Sequence, residues 1–136
     1  MNVTAPGDPS PPEGALFGVD TDYAGRCAYL ALRGELDIAT VRVLDEELRV
    51  VWARDIRRIE IDLRHLTFIG SSGVAALLEA NSRARNTGSL LTLVRGPAAV
   101  QRIFELTGIE SQFAFRPASA RRDERAARSG PLGIVS

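Results

Sequence analysis

The sequence predicts an α/β domain, in which a single sheet opens with a hairpin and continues with parallel strands. Residues 58–63 alternate apolar and polar side chains, as a half-buried strand does. Apolar residues at helical spacing follow them from Val74 onward, and strand-like and helix-like segments then alternate along the chain. Parallel neighbouring strands need a long crossover, usually a helix. We therefore expect one mixed sheet with about four helices on one or both of its faces.

The first half of the chain contains the predicted hairpin and the first helix. Residues 15–19 and 27–33 have strand character, and the turn-forming segment 21–25 joins them. A helix is expected from about Thr40 to Ala53. Its predicted apolar stripe consists of Val41, Leu44, Leu48 and Val51.

The second half alternates strand and helix. After the strand at 58–63, a helix runs from the paired serines to about Arg85, and Gly88 is suited to the left-handed residue that ends it. A later helix has Pro97 in its first turn and Gly108 at its end. The remaining predicted strands are residues 89–95 and 113–115.

Composition defines a compact middle and two different ends. Residues 1–14 contain four prolines and few apolar side chains, so we expect this segment to be disordered. Residues 15–116 carry the predicted domain. Residues 117–136 are expected to form a flexible or weakly helical tail, with a short charged helix possible at 120–128.

Size and charge exclude several classes of function. The 136 residues suffice for one domain, and the 45% hydrophobic and 25% charged fractions are those of a globular protein. A formal net charge of zero argues against binding nucleic acid or membrane surfaces through a general electrostatic field. Cys27 is the only cysteine, so no intrachain disulfide can form. With no membrane-length apolar run and no signal-peptide pattern, we expect a cytoplasmic protein.

Two adjacent hydroxyls, Ser71 and Ser72, lie where the apolar strand pattern stops and a helical pattern begins. A serine at this position can cap the helix through its side chain. It can also hold a phosphate against free backbone N–H groups and the positive end of the helix dipole. The junction alone leaves both interpretations open.

Three segments, in this order, resemble the STAS domain, and specifically its anti-sigma factor antagonist type. The similarity covers about residues 15–116 and so includes the whole predicted fold. The segments are residues 32–37 with Ala39-Thr40, residues 61–63 with 68–73, and residues 93–97 with Val100 and 104–109.

The resemblance implies a switched binding protein rather than an enzyme, with no cofactor or metal. In that family a serine of the second segment is phosphorylated by a partner that is both anti-sigma factor and kinase, with a histidine-kinase-like ATPase fold. The unphosphorylated form binds this partner and releases a sigma factor, and a separate serine phosphatase restores binding. Carried over by position, the phosphoacceptor is Ser71, with Ser72 the less favoured choice.

The partner surface is then expected on the loop after Asp37 and on the helix that begins at Ser71. Asp37 can alternatively cap the next helix, and Gly73 can serve backbone geometry at the start of its own helix. The candidate binding residues are Asp37, Thr40, Gly70, Ser71, Ser72, Gly73, Glu79, Ser82 and Arg83.

One position departs from the family pattern. The family usually has aspartate immediately before the paired serines, whereas this chain has Gly70. Glycine removes a capping carboxylate and leaves the loop less fixed. It also removes a negative charge that would repel a phosphate at Ser71.

Alternative functions have distinct requirements. A hydrolase using Ser71, His65 and Asp37 would need the three side chains in contact, and the serine pair does not match the G-x-S-x-G elbow. A phosphate-binding loop of the P-loop type needs lysine, which the chain lacks. A STAS interaction module that regulates a transporter or an ABC-type lipid-transport complex remains open. Such a module would not require phosphorylation, which would fit Gly70.

Overall fold

The computed structural model describes residues 17–118 of the chain. It contains three α-helices and one 3-10 turn in this range, against about four predicted helices. The expectations for residues 1–14 and for the tail at 117–136, except its first two residues, lie outside the described part, as do residues 15 and 16 of the first predicted strand. In chain order the elements are β1 (Gly18–Ala24), β2 (Cys27–Leu36), α1 (Val41–Trp52), β3 (Arg58–Ile69), α2 (Ser71–Asn86), β4 (Leu90–Val94), α3 (Ala98–Leu106), the 3-10 turn (Glu110–Gln112) and β5 (Ala114–Arg116).

The five strands form one mixed sheet in the order β1-β2-β3-β4-β5. Strands β1 and β2 are antiparallel, and each later neighbour is parallel to the one before it. The predicted fold class is therefore confirmed. Each connection between parallel strands leads to the next neighbour on the same side of the sheet. Because such connections are right-handed, α1, α2 and α3 lie on the same face of the sheet.

The core lies between that face and the helices. Alternate residues of β2, β3 and β4 point into it, because successive side chains of a strand face opposite sides. The predicted stripe of α1 is buried at Leu44, Leu48 and Val51, whereas Val41 is only half-buried. The principal strand and helix residues of this core are Ala28, Leu30, Leu32, Ile59, Ile61, Leu63, Leu77, Leu91, Leu93, Val100 and Phe104.

The first strand differs from its prediction. The structure begins β1 at Gly18 and continues it to Ala24, through the segment that was expected to be a turn. The actual turn is Gly25-Arg26, and Gly25 takes a φ of 62°. From Val19 to Ala24 the outward positions are exposed and the inward positions half-buried. Aspartates on the outward face of this edge strand resemble turn residues in the sequence, which explains the error.

Strand β3 is longer than predicted, since it continues beyond Leu63 to Ile69. Arg64 and His65, which follow the predicted end of the strand, are strand residues, and Arg64 pairs with the buried Asp62 through Nη2 and Oδ2 at 3.0 Å. The pairing of β2 with β3 shifts register twice, between Ala31 and Arg33 and between Gly34 and Glu35. These irregularities break the simple alternation that identifies a strand in the sequence.

The helix ends follow the sequence signals. Gly88 has a φ of 79°, and the following N–H of Ser89 donates to the Ala84 carbonyl at 2.8 Å. Gly108, after α3, has a φ of 73°. Both predicted glycine stops are confirmed. None of the helices in the described range has the length and apolar character needed to cross a membrane.

Candidate functional site

The candidate site forms where β2 and β3 end side by side. Leu36 pairs with Ile69 in the parallel register, and the N–H of Gly70 donates to the Leu36 carbonyl at 2.9 Å. A Cβ atom placed on Gly70 would lie 3.5 Å from the Cβ of Asp37. The fold thus brings the loop after β2 against the start of α2, two regions more than thirty residues apart in the sequence.

Ser71 is the first residue of α2 and is exposed, whereas Ser72 is half-buried. The residue at the N-cap is Gly70, with φ −98° and ψ 179°, so Ser71 is not the side-chain cap that one interpretation of the sequence suggested. The first turn of α2 contains no acidic residue and no side-chain capping bond. Because the first N–H groups of a helix lack intrahelical acceptors, this end of α2 keeps its partial positive charge.

Gly73 lies where α2 packs against the end of β2. A Cβ atom at this position would come within 2.7 Å of the Cγ of Leu36 and 2.9 Å of the Leu36 carbonyl oxygen. The close approach leaves no room for a side chain. This geometry supports the interpretation that residue 73 is glycine because the backbones of α2 and β2 lie so close together. The contact also fixes where α2 begins relative to β2.

The loop after β2 is held by its own polar groups. The Asp37 Oδ1 atom accepts the N–H of Ala39 at 3.0 Å. The Thr40 hydroxyl donates to the Glu35 carbonyl at 2.7 Å and accepts the N–H of Asp37 at 3.0 Å. Thr40 is the N-cap residue of α1, so Asp37 shapes the preceding turn rather than capping that helix.

Replacing Thr40 by valine is expected to lower the free energy of unfolding by about 1 kcal/mol, because two loop hydrogen bonds lose their partner. Thr40→Ser retains the hydroxyl and serves as the control. Urea unfolding of both variants measures the difference. Equal stability of the valine and serine variants would show that the hydroxyl does not hold this loop.

The predicted binding residues of α2 lie in two settings. Glu79, Ser82 and Arg83 are all exposed, as expected. Glu79 and Arg83, however, also line a groove of about 270 Å³ between α1 and α2. The α1 wall of this groove was missed by the sequence analysis, because only packing shows which turns of two helices lie opposite each other. That wall consists of Asp45, Leu48, Arg49 and Trp52.

Two exposed apolar side chains beside the paired serines were also missed. Ile38, next to Asp37, is 81% exposed and Phe68 is 48% exposed. The Phe68 Cε2 atom lies 3.4 Å from the position of a Cβ on Gly70. No regular alternation in the sequence could have identified Phe68, because Leu66 and Ile69 are buried while Thr67 and Phe68 are both exposed.

The hydrolase alternative is not supported by the positions of its residues. His65 pairs with Arg33 across β2 and β3, four residues before the end of β3. At 3.3 Å per residue it lies about 13 Å along the strand from the residue that precedes Gly70.

Among residues 17–118, no three histidine, cysteine or acidic residues are grouped so that they could hold a metal ion.

A hairpin, three consecutive parallel crossovers and a double-serine turn from the third strand into a helix together define a STAS-type domain. Residues 19–116 match the family model described as "Mlab, STAS domain". The chain therefore belongs to the STAS domain family.

Solved structures with the same fold include an anti-sigma factor antagonist and two forms of the protein SpoIIAA. An anti-sigma factor antagonist from Mycobacterium paratuberculosis is 23% identical, with a TM-score of 0.68 and coverage of 78% of this chain and 88% of its own. The anti-sigma factor antagonist SpoIIAA in its unphosphorylated form is 18% identical, with a TM-score of 0.66 and coverage of 81% of this chain and 97% of its own. The Bacillus cell fate determinant SpoIIAA in its phosphorylated form is 16% identical, with a TM-score of 0.61 and coverage of 79% of this chain and 98% of its own. At these identities the similarity establishes the shared fold.

Proposed function

We propose that this protein is an anti-sigma factor antagonist. Its unphosphorylated form binds a cognate anti-sigma factor with a histidine-kinase-like ATPase fold and thereby releases a sigma factor. That partner phosphorylates Ser71 and so ends binding, and a serine phosphatase restores it. The protein acts in the bacterial cytoplasm as a regulator of transcription, through protein contacts rather than through nucleic acid or membrane. The observation that carries the proposal is the exposed Ser71 at the start of α2, beside the Asp37 loop.

The start of α2 suits a phosphate on Ser71. A phosphoserine adds a charge of about −1.5 to −2 at neutral pH. The start of α2 has no acidic residue in its first turn, so its free N–H groups and dipole offset part of that charge within the fold. In a complex, the same phosphate would be transferred from water into an interface and would repel partner carboxylates. The fold can therefore accept a modification that the complex rejects.

The surface around Ser71 also suits a protein partner. Exposed Ile38 and Phe68 supply apolar area beside polar Asp37 and Ser71. Exposed large apolar side chains next to polar groups are typical of the centre of a protein interface. A charge introduced at Ser71 would then be placed next to the area that loses water on binding.

A second candidate function is a STAS interaction module that regulates a transporter or an ABC-type lipid-transport complex without phosphorylation. Gly70 favours it, because the usual aspartate before the paired serines is absent and Gly70 supplies no capping side chain. The two candidates share the binding surface. They differ in whether Ser71 is modified.

The deciding experiment is the intact mass of the protein after incubation with ATP and the candidate anti-sigma factors of the source genome. We expect a gain of one phosphate that the Ser71→Ala variant does not acquire. Ser72→Ala is the matched control and should be phosphorylated like the wild type. A stable complex without any phosphate would contradict phosphorylation at Ser71 and favour the second candidate.

A further inference from the structure

We propose that the groove between α1 and α2 is a second contact surface for the same partner, in addition to the Ser71 region, and that it selects a helix of opposite charge pattern. This inference rests on the proposed function. The groove has a volume of about 270 Å³. Its four charged residues are Asp45, Arg49, Glu79 and Arg83.

The charges divide the groove into two halves. Helices α1 and α2 both return from the carboxyl ends of parallel strands, so they run in the same direction. The guanidinium of Arg83 lies 5.1 Å from the centre of the Trp52 ring, across the groove. On α1 Asp45 precedes Arg49 by four residues, and on α2 Glu79 precedes Arg83 by four, which is about 6 Å along each helix. The groove is thus acidic toward the Ser71 end of α2 and basic toward the other end.

These four charges are available to a partner. No ion pair involves Asp45, Arg49, Glu79 or Arg83 among the salt bridges within residues 17–118. Asp45, Arg49, Glu79 and Arg83 are all exposed, and within the described range the one aromatic contact among them is that of Arg83 with Trp52. Charges that remain exposed can be paired by an approaching protein with little desolvation cost, which favours specificity and rapid association.

The walls of the groove suit a helix that lies across it. A volume of about 270 Å³ can take side chains of such a helix but not the helix itself. The α2 side contributes Ala76 and Ala80, which carry no bulky side chain that would hold a partner helix away from the groove. The occupant that fits is a partner helix with a lysine or arginine toward the Asp45 half and an aspartate or glutamate toward the Arg83 half.

The two surfaces then have different tasks. Phosphorylation changes the charge at Ser71 and leaves the groove charges unaltered. The Ser71 region therefore decides whether binding occurs, whereas the groove decides which anti-sigma factor binds. Because α2 begins at Ser71 and also forms one wall of the groove, a single partner can contact both.

The test uses the anti-sigma factor that binds the wild-type chain most tightly among those of the source genome. Asp45→Arg combined with Glu79→Arg makes the acidic half basic. Glu46→Arg combined with Glu105→Arg is the matched control, since it changes the net charge equally at exposed helix positions outside the groove. We expect the groove variant to raise Kd about tenfold at low ionic strength, mainly through slower association, and the control to stay within about twofold of the wild type. The difference should shrink at high salt.

Equal affinities of the groove variant and the control, with both folded by circular dichroism, would overturn the inference. Retained weakening by Ser71→Asp in that case would leave the proposed function intact. If the wild type binds none of the anti-sigma factors, the proposed function fails and the inference fails with it. If the groove variant instead abolishes self-association in size-exclusion chromatography, the groove binds a second copy of this chain and the inference is wrong.

Discussion

Replacing Ser71 by aspartate is expected to weaken binding of the anti-sigma factor by about 10- to 100-fold, because an interfacial charge without a partner must lose its hydration. The fold should remain intact. Ser71 is exposed, and an acidic side chain in the first turn of α2 interacts favourably with the helix dipole, by about 0.3 to 1 kcal/mol. Isothermal titration calorimetry measures the affinity and thermal unfolding the stability.

Two controls make this result specific. Ser71→Ala should bind like the unphosphorylated wild type and should remain bound when ATP is present. Ala98→Asp places the same side chain on the exposed first residue of another helix, α3, and should leave the affinity unchanged. An unchanged Kd for a folded Ser71→Asp variant would contradict a charge-controlled interface at this residue.

Replacing Gly73 by alanine is expected to destabilise the protein by about 1 to 3 kcal/mol, the usual cost of overpacking a core. Alanine within a helix is normally favoured over glycine by about 0.5 to 1 kcal/mol, so the sign depends on packing. Here the added Cβ would meet the Cγ of Leu36 at 2.7 Å and the Leu36 carbonyl oxygen at 2.9 Å. Because the oxygen belongs to the backbone of β2, relief requires a shift of α2 or of the strand. The packing cost therefore exceeds the gain in helix propensity.

Gly70→Ala is the matched control for Gly73→Ala. Its added Cβ would lie no closer than 3.4 Å to Phe68 and 3.5 Å to Asp37, which is ordinary van der Waals contact. Its φ of −98° also suits a residue with a side chain. We expect its stability to change by less than about 0.5 kcal/mol, typical of surface substitutions. Urea unfolding compares the two variants, and equal stabilities would refute the packing argument at Gly73.

The fold class and most helices could be predicted because their signals are local. The stripe at Leu44, Leu48 and Val51 and the glycines at 88 and 108 each depend on periodicity or backbone freedom within a few residues. The errors occurred where a local signal was overridden. The aspartates of β1 resemble turn residues, yet the pairing of β1 with β2 keeps them in a strand. The late part of β3 lost its alternation because its pairing with β2 shifts register.

The candidate site was predicted in part. The sequence placed Ser71 at a strand-to-helix junction and, through the family resemblance, placed Asp37 near it, and the fold brings their two segments together. It did not identify exposed Ile38 or the α1 wall of the groove. An apolar residue in a loop is buried or exposed according to what packs over it, and nothing within a few residues of Ile38 encodes that.

By itself, then, the sequence determined the α/β class and the position of the paired serines at the start of a helix. Its three segments also indicated membership of the STAS domain family. Each of these follows from the order and spacing of residues along one chain. Only the tertiary structure decided that Gly73 has no room for a side chain, that Gly70 adjoins Asp37, and that the Arg83 guanidinium lies over the Trp52 ring in a groove. These properties depend on distances between separate elements, which the register of the strands and the packing of helices on the sheet establish together.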